Sequence, residues 1–218
     1  VNHTNSSEYI ESISLSKAFG SPSFMSGKLS NSSTDSAEKT VFSFLNNSKP
    51  TYKLKKNATE SFKVIKQEKE NLGAQVVRFQ QEYNGIKIFG FQQIAHIKNG
   101  ILQSFSGSVA PEAIIEEGIN NGKQKQITKD EAINIAKQEL KMNAKFTQTP
   151  TSELNIYMKE DKANLVYLVK LKFLEPEPGN WYYFIDAKTG KVVEKFNTIA
   201  HEDGQDNGTQ TTVEGKGV

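Results

Sequence analysis

The chain has 218 residues, of which 24% are charged and 36% apolar, with a formal net charge of +2 and no cysteine. That length holds one large or two small domains with real cores. So small a charge, with no Lys/Arg cluster interleaved with aromatics, argues against nucleic acid. No apolar run nears the roughly 20 residues of a membrane span, and the missing thiols exclude disulfides and thiolate chemistry.

Residues 1–34 mix Ser, Asn and Gly with isolated large apolar residues and read as a flexible N-terminal segment, with Ser26–Thr34 a plain linker. The start, Val1-Asn2-His3-Thr4-Asn5-Ser6, shows no signal-peptide pattern. Asp35 with Glu38 forms a capping-box pattern, and Ala37, Val41, Phe44 and Leu45 follow the spacing of one buried helical face. Asn46-Asn47-Ser48 and Pro50 stop that helix. From Phe62 to Val109 the pattern predicts antiparallel strands. Phe62–Lys66 is the first, and Gln75–Tyr83 the second, with Val77, Phe79 and Tyr83 alternating with Arg78, Gln80 and Glu82. Asn84-Gly85 is a hairpin signal, and Ile86, Ile88, Phe89 and Phe91 carry the return strand, with Gly90 inside it. Asn99-Gly100 turns into a last strand from Ile101 to Val109. One helix must cover this meander, which gives a first module at residues 35–110.

Pro111–Gln126 changes to charged residues, Gly and Asn, and reads as a linker. Thr128 and Glu131 form a second capping box, opening a helix with Ala132, Ile133, Ala136 and Leu140 on one face. Leu154, Ile156 and Met158 alternate as a strand. So do Leu165, Tyr167, Val169, Leu171 and Phe173, with Lys170 and Lys172 opposite. Trp181–Ile185 and Val192–Phe196 pair across Asp186–Gly190, where Asp186 is placed to bond the turn's backbone. This second module covers residues 127–198, and 199–218 form a polar tail. The expected fold class is α+β, with two modules, each a curved antiparallel sheet packed on a helix.

Zinc hydrolysis needs His or carboxylate ligands at one-turn spacing and a Glu to take a proton from bound water. The histidines are His3, His96 and His201. His201-Glu202 begins like H-E-x-x-H, but position 205 is Gln, so the second ligand is missing. His96 sits in a strand beside Ile94 with no nucleophile for it to activate. Glu116-Glu117 and Glu202-Asp203 lie in polar stretches and read as solvated charge. No G-x-x-x-x-G-K-S/T phosphate loop occurs. Trp181, flanked by Tyr182, Tyr183 and Phe184, reads as packing rather than a ligand cage.

The residues Arg78, Phe79, Gln80, Gln81, Tyr83, Gly85, Phe89 and Gly90 stand in the order R-F-Q-Q-x-Y-x-G-x-x-x-F-G. This word resembles the R-F-Q-Q-x-Y-x-G-x-x-V-F-G signature of the propeptide module of fungalysin and thermolysin zinc proteases. Residues 127–198, with T-x-x-E-A-x-x-I-A, L-x-I-Y and W-x-Y-F-I-D-A-x-T-G-x-V-V, resemble the cystatin-like PepSY module. Together the two resemblances imply a propeptide of a secreted, bacterial, thermolysin-type metalloendopeptidase, acting as intramolecular chaperone and temporary inhibitor. Its partner is then the mature protease domain of the same precursor, which carries the zinc and calcium, while this chain carries no cofactor and is not itself the enzyme. Arg78 and Gln81 are expected to tie strand ends or modules by hydrogen bonds. The resemblance places Ile199, Ala200 and His201 in the protease cleft. It places the bond to be cut within His201, Glu202, Asp203, Gly204 and Gln205, and Thr212–Val218 at the start of the mature enzyme. A free-standing protease inhibitor or ligand-binding module of the same fold is the alternative.

Overall fold

Two Asn-Gly pairs fold the first half of the chain back on itself. Asn84 and Gly85 have φ of 49° and 77°, and Asn99 and Gly100 have 51° and 74°. These are the left-handed values that a two-residue hairpin turn requires and that Asn and Gly tolerate. The computed structural model describes residues 7–120 and 126–199. Within them the fold is mixed α/β, with antiparallel sheet dominant and few helices. The chain divides into two compact units, the first reaching Ile115 and the second beginning at Glu116.

The first unit contains β1 (Tyr9–Leu15), β2 (Pro22–Lys28), α1 (Ala37–Asn47), α2 (Lys49–Tyr52), α3 (Ala58–Ser61), β3 (Phe62–Lys69), β4 (Ala74–Tyr83), β5 (Ile86–Lys98) and β6 (Ile101–Ser106). Its strands run in the order β1-β2-β6-β5-β4-β3, every neighbour antiparallel. Met25, Val77, Phe79, Ala95, Ile97 and Phe105 form the inner face, against Val41, Phe44 and Leu45 of α1 and Tyr52 of α2. The rings of Phe44 and Tyr52 both meet Phe105 near edge-to-face, at 6.0 and 5.7 Å, the arrangement that aromatic quadrupoles favour.

Four sequence expectations change here. Residues 1–34 are not simply a flexible segment with a linker, because β1 and β2 lie within them. The partner of β2, β6, is far along the chain, and a bulge at Glu11 between paired residues breaks the alternation of β1. The first helix is capped by Ser36 rather than Asp35, the Ser36 hydroxyl accepting from the Lys39 amide. The last strand of the meander ends at Ser106, short of Val109. The stretch 111–126 is not linker throughout, since α4 (Glu112–Ile119) occupies half of it.

The second unit holds α5 (Lys129–Leu140), the short β7 (Lys145–Phe146), β8 (Thr151–Lys159), β9 (Lys162–Glu175), β10 (Gly179–Asp186) and β11 (Val192–Asn197). The order β8-β9-β10-β11 is antiparallel throughout, with β7 sharing the β8 side of β9. Thr128 caps α5 reciprocally: its hydroxyl accepts from the Glu131 amide at 3.1 Å and its own amide donates to Glu131 at 2.6 Å. Ala132, Ala136 and Leu140 are buried and Ile133 is half-buried. Asp186 accepts from the amides of Lys188 and Thr189, both at 2.8 Å, closing the last hairpin.

The Tyr52 hydroxyl lies in the first core with no hydrogen-bond partner among the described residues, and burial pushes its pKa well above the ordinary phenol range. An unpaired buried hydroxyl costs its desolvation and returns nothing. Tyr52→Phe should therefore leave stability unchanged or raise it by up to about 1 kcal/mol. Urea unfolding followed by circular dichroism reads this directly, and a loss of stability would mean the hydroxyl is bonded after all.

Candidate functional site

The R-F-Q-Q word sits where the ladder between β4 and β5 breaks. Gln80 pairs with Gln92 and Glu82 with Lys87, so Gln81 alone stands opposite Ile88–Phe91. Such an excursion takes carbonyls out of the ladder in a region where Ile88 and Phe91 are buried, and buried carbonyls need partners. The Gln80 carboxamide supplies them. Its Nε2 donates to the oxygens of Ile88 at 2.8 Å, Gln81 at 2.9 Å and Phe91 at 3.3 Å, and its Oε1 accepts from Gln92. Gly90, with φ of 78°, lets the backbone turn inside the excursion.

Gln81 faces the other way and holds the segment after β6. Its Nε2 donates to the Ala110 carbonyl at 2.9 Å and its Oε1 accepts from the Ala110 amide at 2.8 Å. Gln93 donates to the Ser108 carbonyl at 2.9 Å. Glu112 completes the set: its carboxylate accepts from the amides of Lys55 (2.7 Å) and Lys56 (2.9 Å) and from the Ser61 hydroxyl (2.6 Å) while almost wholly buried. The sequence reading missed Gln93 and Glu112. Pro111-Glu112 was a signal for a helix start, but nothing local announces that the carboxylate is buried.

Of the other word residues, Phe79 and Tyr83 are core side chains, and the Lys56 ammonium lies 4.4 Å from the Tyr83 ring centre. Phe89 is half-buried. Arg78 departs from expectation. It is exposed, opposite Lys66 on β3; the Lys66 hydrogen bond and charge hold the nearby Glu68 carboxyl below its usual range, with the Arg78 charge a smaller contribution. The Arg78 side chain makes no hydrogen bond to any described residue, because its position in the register points to the face away from α1.

The second candidate is the point where the chain leaves β11. A row of rings crosses one face of the second sheet: Tyr157 to Phe184 at 4.3 Å, Phe184 to Phe196 at 5.6 Å, and Phe196 to Tyr182 at 5.5 Å. Beyond Phe196 three polar residues fix the strand end. Asn197 Oδ1 accepts from the amides of Asn180 (3.0 Å) and Ile199 (3.2 Å), and Thr198 donates to the Asn180 carbonyl through its amide (2.8 Å) and hydroxyl (2.9 Å). Ile199 is half-buried at the end of this clamp. Ala200, His201 and the expected cleavage region Glu202, Asp203, Gly204 and Gln205 lie outside the described residues, as does Thr212–Val218. Among the described residues no three His, Cys, Asp or Glu side chains are grouped to hold a metal, and His96 is exposed on β5. No described helix is long and apolar enough to cross a membrane.

Residues 60–109 match the family model of the Fungalysin/Thermolysin Propeptide Motif, FTP, and residues 126–196 match the Peptidase propeptide and YPEB domain, PepSY. Bacillolysin of Bacillus cereus is 42% identical over 184 residues, covering 83% of this chain and 32% of that protein. Thermostable neutral protease NprT of Geobacillus stearothermophilus is 34% identical over 195 residues, covering 87% and 35%. Neutral protease B of Bacillus subtilis (strain 168) is 36% identical over 200 residues, covering 88% and 36%. The chain thus spans about a third of the length of these curated relatives. Among solved structures the Bacillus megaterium YpeB C-terminal domain aligns at a TM-score of 0.37 and 17% identity, over 82% of this chain and 72% of that one.

Gln81→Leu removes both bonds to Ala110 and strands two buried backbone groups, so it should cost roughly 2–4 kcal/mol. Arg78→Ala should change stability by no more than about 0.5 kcal/mol. Gly85→Val meets no neighbouring atom, yet the φ of 77° there is costly for a β-branched residue, so its loss should exceed about 1 kcal/mol. Equilibrium unfolding of the three variants tests this ranking, and an Arg78→Ala loss equal to that of Gln81→Leu would reverse it.

Proposed function

We infer the function from one premise: the chain belongs to the propeptides of thermolysin-family protease precursors, carrying an FTP motif followed by a PepSY domain. It acts on the mature protease domain of the same precursor, as intramolecular chaperone and temporary inhibitor. In this reading FTP-like and PepSY-like modules, each a curved antiparallel sheet on its helix, dock on the protease outside its active site. The tail from Ile199 through His201 runs extended into the cleft, and autoprocessing cuts between His201 and Gln205. Zinc and calcium belong to the protease domain, and the precursor is exported from a bacterial cell.

The observation that carries this reading is the clamp at Asn180, Asn197 and Thr198. A tail that inhibits must leave its scaffold at a fixed point and direction, because freedom there lowers the effective concentration of the inserted segment. Four hydrogen bonds and a preceding ring row hold that exit. A propeptide that binds only the folded enzyme also stabilises it by mass action, which favours folding of a large domain with many distant contacts.

The test compares three forms of the chain against purified mature enzyme. Residues 1–201 should inhibit strongly. A chain ending at Thr198, which keeps three of the clamp's four hydrogen bonds, should still dock by calorimetry but inhibit at least about tenfold more weakly. Asn197→Ala in the longer form should fall between them while keeping its thermal midpoint. Equal inhibition by all three forms would remove the tail from the cleft, and no binding by any would refute the propeptide reading itself.

A further inference from the structure

The two edges of the first sheet are built differently. β3 carries Lys63, Lys66, Glu68 and Lys69 along its length, the charges that keep an edge strand from pairing with other chains. β1 carries one charge, Glu11, and presents Tyr9, Ile10, Ile13 and Leu15 to solvent at 46–57% exposure, with Phe24 of β2 beside them. Of the large apolar side chains exposed among the described residues, the others are Ile65, Leu72 and Leu174, each on a different element. The apolar surface is therefore concentrated on one edge.

That edge also borders a groove. Ile13 pairs with Met25 and Met25 with Phe105, so Ile13 shares the face that α1 covers. The helix rests on β4 and β6 and packs with Met25 of β2, but Ile13 of β1 beside it stays 46% exposed. Between them lies a groove of about 650 Å³, with Ile13, Met25 and Leu29 along the sheet and Thr40, Phe44 and Asn47 along the helix. Its size suits a segment that lays several apolar side chains beside a helix while pairing with an open strand edge.

We propose that β1 and this groove dock an extended, apolar-faced segment of the mature protease domain encoded in the same precursor. The proposal rests on the propeptide reading above. Two observations select this occupant. About two thirds of each curated relative lies outside the part that this chain matches, so the larger partner is tethered, and tethering raises its effective concentration. A second copy fits worse, since it could offer this groove only its own β1, the strand that borders the same groove on that copy. The described surface outside this edge offers only the three isolated residues named above.

The experiment titrates purified mature enzyme with the whole chain, the double variant Ile10→Asp/Ile13→Asp, and the control Leu174→Asp, which alters an exposed residue of the other unit. The double variant should bind at least about tenfold more weakly with an unchanged thermal midpoint, and the control should bind like the parent. A benzophenone amino acid in place of Ile13 should crosslink to the enzyme even if the double variant folds poorly. If the parent and control bind tightly while the double variant binds equally well, the docking site is refuted and the propeptide reading stands. Crosslinking at position 13 to a second copy of the chain, with dimers in sedimentation, also refutes it. Failure of the parent chain to bind refutes the propeptide reading and removes the premise of the docking site.

Discussion

A sheet that interrupts its own ladder must find other partners for the backbone groups it releases, and in this chain buried amide and carboxylate side chains provide them. Gln80 fills the excursion of β5, Gln81 clamps Ala110, and Glu112 gathers two amides and a hydroxyl from the segment before β3. Each such group would cost about 1–3 kcal/mol if left unpaired. The cost explains why the R-F-Q-Q word places two glutamines in adjacent positions. One must point into the break and the other toward the segment that follows β6, which adjacent residues at a bulge can do.

What the sequence made legible was local. The turns at Asn84-Gly85 and Asn99-Gly100, the reciprocal cap at Thr128 and Glu131, and the Asp186 turn all depend on residues a few positions apart. Their chemistry is complete within a short window. The β1–β2 hairpin was not legible, because it gains its place only by pairing with β6, and the bulge at Glu11 disguises its period. The helix α4 was hidden by a composition that resembles a linker. At the site, Gln81 could be read as a tie but its neighbour Arg78 could not be told apart from it, since a strand's period alone does not say which face a distant helix will cover. The clamp at Asn180 and Asn197 was invisible for the same reason: two asparagines seventeen positions apart become partners only in the folded hairpin.

These pieces give the chain a division of labour. Polar side chains hold irregular backbone in fixed positions in the first unit. In the second, the ring row and clamp bring β11 to a defined end at Ile199. In the proposed role, rigid presentation matters because a segment that fills a protease cleft competes with substrate, and each residue ordered only on binding subtracts from its affinity.

Hydrogen exchange followed by mass spectrometry, on the chain alone and bound to the mature enzyme, tests the central claim that the tail is the part inserted in the cleft. The account predicts that amides from Ile199 to Gln205 gain strong protection on binding while those paired between β9 and β10, already held in the sheet, do not change. Inhibition accompanied by unchanged exchange from Ile199 to Gln205 would contradict it.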